Sequence, residues 1–219
     1  MKLMQLNQLN KELVKTVRAS FDNLPKTEHK DGKYRLRRYS RVELRTSFWN
    51  AQEGVEVNDL NSQEFTQSSD YNLHQGDKIR KFDGIEEDTI NSDGFKEICL
   101  EFKRANDLKD GVEVDVHQLR VVTLEELDNT APVAPEGRHQ DGYDYIAMVG
   151  IRRNNIEGGE LKAYPDEGSP PFLSHVLEDG QMLFLADKVL WHYATDIIKK
   201  HQDLGEGYGD WFVLCANKL

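Results

Sequence analysis

From Val112 onward the chain divides into short stretches of alternating or wholly apolar residues, each ended by Gly, Pro or Asp: 112–122, 144–152, 160–164, 172–177, 181–186, 189–195 and 210–217. About seven strands in a row at this spacing favour an antiparallel sandwich or barrel for this part of the chain. Upstream, Leu6, Leu9, Leu13, Val14 and Val17, and again Phe95, Ile98, Cys99 and Phe102, recur at near-helical spacing, so both segments are expected to be amphipathic helices. Strands preceded by helices predict a mainly β fold with flanking α-helices, a double-stranded β-helix or jelly-roll, cupin-like barrel. One domain over 1–219 is expected, with a helical and mixed part (1–110) packing on the barrel strands of 111–219.

Charge narrows the partners. The formal net charge of −11 opposes a nucleic-acid backbone or an anionic membrane at long range. A small molecule is the expected partner. No apolar run approaches the roughly 18–20 residues of a membrane span, and the polar start Met1 to Glu12 lacks the apolar core of a signal peptide, so a cytoplasmic location is expected. Cys99 and Cys215 sit far apart in apolar segments and are expected to be reduced core residues. Nothing in the sequence sets the oligomeric state.

His139-Gln140-Asp141 leads into the apolar run Tyr145 to Ile151, and His192 lies on a later strand after Trp191. In an extended segment His139 and Asp141 project to the same side, because strand side chains alternate with period two. With His192 they make the ligand set of a two-histidine, one-carboxylate iron face, which leaves positions open for substrate, cosubstrate and dioxygen. A His-x-Asp pair among seven histidines is a weak motif by itself, and the competing reading is a solvated loop His and Asp. Pro132 to Arg138 and Lys199 to Tyr208 are polar connections beside these ligands, suited to the mouth of a barrel.

The segments Arg38-Tyr39-Ser40-Arg41, Lys78-Ile79-Arg80-Lys81-Phe82, His117-Gln118-Leu119-Arg120, His139-Gln140-Asp141, Gly158-Gly159 and Trp191-His192 resemble those of the iron(II)/2-oxoglutarate dioxygenases of the L-isoleucine dioxygenase type, bacterial free amino-acid hydroxylases. The similarity runs from about Arg35 to the C-terminus. It implies that His139, Asp141 and His192 bind Fe(II), that 2-oxoglutarate and O2 are cosubstrates, and that an iron(IV)-oxo species hydroxylates a free L-amino acid or similar small carboxylate. Arg80, in the basic segment that resembles the family's, is a candidate substrate-carboxylate contact, with a solvated charge as the preferred competing reading.

The chain departs from that pattern in one place. Where relatives carry an arginine for the far carboxylate of 2-oxoglutarate, this chain has Gly209, and no arginine follows Arg153. Another cation does the job, or the cosubstrate is a different oxo acid or none, or the protein is a non-catalytic small-ligand-binding jelly-roll. Arg120 is the favoured substitute, because Val112, Val114, Val116, Gln118, Arg120 and Val122 share one strand face, read as the inward one. Gln118 and Arg120 are therefore expected to bind cosubstrate, Arg120 having an internal ion pair with a carboxylate as its competing reading, and Lys199 and Lys200 are further candidate cations whose default is a solvated pair. By the same phase argument Arg38, rather than Arg35, Arg37 or Arg41, is expected to face inward and hold substrate. His117 is assigned to packing, His29, His74 and His175 to surface or structural places, and Gly158-Gly159 to a tight turn.

Overall fold

In a computed structural model describing residues 3–69, 71 and 76–219, strands dominate. They are β1 (Met4–Gln8), β2 (Arg35–Trp49), β3 (Gln52–Asp59), β4 (Glu64–Phe65), β5 (Arg80–Lys81), β6 (Val112–Val122), β7 (Thr130–Ala131), β8 (Tyr145–Asn154), β9 (Ile156–Gly158), β10 (Glu160–Tyr164), β11 (Leu173–Val176), β12 (Gln181–Leu185), β13 (Trp191–Ala194), β14 (Ile197–Lys199) and β15 (Tyr208–Ala216). Helices α1 (Lys11–Lys15), α2 (Glu87–Ile90) and α3 (Asp93–Ala105) complete the set, with short 3-10 turns at Arg18–Phe21 and Glu125–Leu127.

A seven-stranded antiparallel sheet, in the order β1-β12-β8-β15-β6-β2-β3, forms one wall of the jelly-roll. The three-stranded sheets β11-β10-β13 and β7-β14-β9 close the other side. All seven strand runs read from Val112 onward are strands here, within a few residues at their ends. Residues 1–110 do more than pack on this barrel, since β1, β2 and β3 are strands of the main sheet itself.

The main sheet is buried on both faces. One face carries Val112, Val114, Val116, Ala147, Val149, Phe212 and Leu214 and meets Phe95, Ile98, Cys99 and Phe102 of α3, together with Val14, Val17 and Phe21. Helix α3 forms where the 3.6-residue spacing predicts it. The Ser92 hydroxyl accepts from the Phe95 amide at the N-terminus, and Lys103 and Arg104 lie in the last turn, where they complement the helix dipole. The other face carries Ile146, Met148, Leu183, Leu185 and Cys215 and packs on Leu161, Ala163, Leu177 and Leu190 of the smaller sheet side. The interior of the barrel is therefore lined by odd-numbered residues of β6 and β15.

The expected helix from Leu6 to Val17 is replaced by a strand and a single helical turn. Residues Met4–Gln8 pair with the open edge of β12, in register Met4↔Leu185 to Gln8↔Gln181, and Asn10 then starts α1 by accepting from the Glu12 amide. The sheet edge supplies backbone partners that a solvent-exposed helix face does not, and it outweighs the helical period.

Cys99 and Cys215 are both buried free thiols, as expected, although Cys215 faces the barrel interior rather than the helix layer. Gly158 and Gly159 hold φ of +76° and +63° between β9 and β10, and a Cβ on Gly158 would stand 2.1 Å from the Asp196 carbonyl oxygen. Only glycine fits that turn. His175 bonds the Gln181 side chain and His29 packs on Phe82, whereas His74 lies outside the described residues.

Candidate active site

Backbone pairing brings the three metal-ligand candidates together. His139 forms an isolated antiparallel bridge with His192, the amide of each donating to the carbonyl of the other at 3.0 and 2.9 Å. The two imidazole centroids are thereby 4.3 Å apart. Asp141, two residues on and on the same side, places its carboxylate 3.7 Å from Nε2 of His139 and 3.4 Å from Nε2 of His192. One ligand atom from each residue lies within 4.8 Å of the others, so the three can share one ion. Two neutral nitrogens and one carboxylate fit a divalent cation.

Supporting contacts orient these ligands. Nδ1 of His139 is 2.8 Å from the Gly137 carbonyl oxygen, which turns Nε2 toward the centre. Gln67 donates to Asp141 Oδ1 at 2.8 Å. The fully buried Asp187 carboxylate accepts the amides of Asp141, Gly142 and Tyr143 and lies 3.5 Å from Nδ1 of His192. Burial and the nearby charge of Asp141 push Asp187 up to about 6. Asp141 itself is held well below the usual carboxylate range. Its burial works against this, but the hydrogen bond from His192 and the charges of both histidines outweigh it. Burial and the neighbouring His192 push His139 down, whereas His192 is raised because the bond and charge of Asp141 outweigh its own burial.

Beside the triad lies a cavity of about 120 Å³. Its apolar wall is Leu119, Val133, Met148, Leu161, Trp211 and Val213, and its charged wall is Arg35, Arg37, Arg80 and Glu136. Arg80 is here and only 4% exposed, so it is not the solvated charge that its polar segment favoured. Arg38, Gln118 and Arg120 do not line the cavity.

The face read as inward on β6 is the one that meets the helices. Arg120 donates to both oxygens of Asp210 at 2.6 and 2.9 Å and to Asp22 at 3.0 Å. Gln118 donates to the Ser20 hydroxyl at 2.7 Å. On β2, Arg38 bonds the Gly84 carbonyl and Glu86, also away from the cavity. A run of valines marks burial, but in a sheet covered on both sides it does not say by what. Lys199 and Lys200 do not line the cavity either; their amides bond backbone carbonyls of Asn129 and Asn155.

The opposite phase holds residues that the sequence reading passed over: Arg35, Arg37, His117, Leu119 and Trp211 all line the cavity. His117 stacks 5.0 Å from Tyr39 and 4.6 Å edge-on to Phe65, and burial, then Arg37 and Arg80, keep its imidazole neutral. The available signal was polarity itself, since Glu113, Asp115 and His117 follow one another on that side of the strand while Val112, Val114 and Val116 occupy the other.

At Gly209 the structure explains the missing arginine. A Cβ there would lie 2.0 Å from the Trp211 ring, so the indole occupies the space of any side chain at 209. A bulge between Asp210 and Trp211 shifts the register against β8 and turns Arg152 to the helix side, where it joins Asp210 at 2.9 Å.

The chain is similar in structure to a bsmA homologue from Methylobium petroleophilum PM1, with 20% identity, a TM-score of 0.75, and coverage of 94% of this chain and 81% of the other. It is similar to IDO from Bacillus thuringiensis at 16% identity and TM-score 0.68, over 94% and 82% of the two chains. For the Fe(II)/(alpha)ketoglutarate-dependent dioxygenase TqaL the values are 12% and 0.68, over 99% and 83%. At these identities the likeness concerns the fold. No curated protein sequence matches the chain. In sequence, the 2OG-Fe dioxygenase family matches residues 18–215, nearly the whole length, and spans the triad, its supports and the cavity wall. Fe(II) and 2-oxoglutarate are accordingly the cofactors of the site, and the chain belongs to the 2OG-Fe dioxygenase family.

Proposed function

We propose that this dioxygenase hydroxylates a free L-amino acid or a similar small carboxylate, in the manner of the L-isoleucine dioxygenase type. One observation carries the reading: the space beside the triad is a small cavity of about 120 Å³ with an apolar wall, and its arginines favour small acids, the cosubstrate among them. A small acid with an aliphatic side chain suits such a site. The net charge of −11 also disfavours polyanionic substrates.

His139, Asp141 and His192 would hold Fe(II) and leave the cavity side of the ion open. When bound, Fe(II) and 2-oxoglutarate would activate dioxygen, the oxidant: one of its oxygen atoms goes to succinate, formed with release of carbon dioxide, and the other is inserted into a substrate C–H bond as hydroxyl. The chain positions one C–H bond and excludes water. Met148, Leu161, Trp211 and Val213 form a dry wall against which an aliphatic chain packs, and the buried neutral His117 offers a polar contact without a competing charge.

The test is to incubate Fe(II)-loaded protein with 2-oxoglutarate and a pool of free L-amino acids, following succinate and mass gain by one oxygen atom. One or a few aliphatic amino acids should gain oxygen with matching succinate, and His139→Ala should abolish both. Succinate release without oxygen gain in any amino acid or small carboxylate would remove the substrate assignment.

A further inference from the structure

The chelating end of 2-oxoglutarate leaves a second carboxylate that must enter the cavity. A desolvated carboxylate there needs a cation with free donors. The last strand, β15, supplies none, because the Trp211 ring fills the place of a side chain at Gly209. The cations of the cavity come instead from β2 and β5, which provide Arg35, Arg37 and Arg80.

These arginines are not equivalent. Arg35 is bound to the buried Asp31 at 2.5 Å. Arg37 and Arg80 form no ion pair among the described residues, and the Nε atoms of both are buried without a hydrogen-bond partner. Aromatic rings hold them in place: Phe82 lies 5.1 Å from the Arg37 guanidinium and Phe65 lies 4.8 Å from that of Arg80. Burial and the neighbouring guanidinium groups push Arg37 down to about 9. Three guanidinium groups and a bound Fe(II) would face three carboxylates, Asp31, Glu136 and the metal ligand Asp141, which leaves two positive charges, one of them on the arginine side. A single carboxylate balances that one.

We propose that Arg37 and Arg80 together form the anchor for the distal carboxylate of 2-oxoglutarate, relocated from the last barrel strand to the β2 and β5 side of the cavity. The assignment rests on 2-oxoglutarate as cosubstrate and is independent of which substrate is oxidised. The unpaired charge is held ready by aromatic packing, so binding requires little reorganisation.

The experiment is anaerobic titration calorimetry of the Fe(II)-loaded protein with two probes. These are 2-oxoglutarate and 2-oxobutanoate, which has the same chelating end and no second carboxylate. Wild type should bind 2-oxoglutarate much more tightly. Arg37→Gln and Arg80→Gln should each weaken 2-oxoglutarate by about 10- to 100-fold and leave 2-oxobutanoate within about threefold. Removing an uncompensated buried charge should also leave the melting temperature of the unliganded protein unchanged or raised.

If Arg80→Gln fails to fold, Arg80→Lys, which keeps the charge but not the fork, should fall between wild type and the Arg37→Gln variant. Unchanged 2-oxoglutarate affinity in the variants would transfer the cluster to the substrate's carboxylate and overturn the proposal. Equal loss of both probes would overturn it too, because the chelate and not its far end would then be affected. Wild type binding neither probe would reject the cosubstrate itself, a separate failure from an unresponsive pair of variants.

Discussion

Arginines of β6 and β8 lie on the helix side of the main sheet and those of β2 and β5 on the cavity side, and the two sets differ in how they are paired. On the helix side Arg120 and Arg152 converge on Asp210, which is fully buried, and share Asp22 at the rim. Tyr208 lies flat against both, 4.1 and 5.1 Å from their guanidinium carbons. On the cavity side Arg35 has Asp31, while Arg37 and Arg80 have aromatic packing and no carboxylate among the described residues. A buried guanidinium with its full set of acceptors is part of the scaffold, and one left short of acceptors is a place for a ligand. Burial alone does not separate the two sets, since Arg120 and Arg35 are almost equally hidden.

That contrast breaks most visibly at Asp210. Asp210→Asn leaves Arg120 and Arg152 facing each other without a buried counter-charge and should cost about 3–5 kcal/mol of stability in denaturant unfolding. Affinity for 2-oxoglutarate should be unchanged. A variant of near wild-type stability that binds the cosubstrate poorly would mean the helix-side network reaches the active site after all.

A smaller effect tests the one paired arginine of the cavity. Asp31 is held down to about 2. Its burial works against this, but the charges of Arg35 and Arg37 and the Arg35 bond prevail. Because the folded value lies below the unfolded one, the pair stabilises the protein fully above about pH 4, and the contribution disappears as pH falls through about 2. It should amount to about 2 kcal/mol near neutrality. Stability measured against pH in wild type and Asp31→Asn should differ at neutral pH and converge in acid. Parallel curves would show that the pair contributes nothing.

Arg38 should matter least. Its ion pair with Glu86 at 3.0 Å is partly solvated, so Arg38→Met should cost less than about 1 kcal/mol. It should leave calorimetric binding of 2-oxoglutarate untouched. A large loss of binding would restore Arg38 to the cavity-facing set.

Much of the fold was legible along the chain because period-two runs and Gly, Pro and Asp punctuation mark strands whatever they pack against. The strands from Val112 to Ala216 fall where those signals lie. At the N-terminus the same logic failed: Leu6, Leu9 and Leu13 match a helical period, but the unpaired edge of β12 recruits Met4–Gln8 into the sheet. The triad was legible in part. His-x-Asp shows that two ligands share a side, but the approach of His192 depends on a backbone bridge to His139.

What the sequence determined by itself is local: strand positions, the paired side of His139 and Asp141, the helix over Asp93–Ala105, and the fact that Arg120 and His117 point in opposite directions. Which of those directions is the interior was decided only by the tertiary structure. Alternation divides a strand into two faces without naming them, and in a sheet buried on both sides hydrophobicity cannot choose between a helix layer and a cavity. The meeting of Arg37 with Arg80 is of the same kind. The two belong to different sheets and share no period, so only the closing of the barrel places both groups in the wall of one cavity.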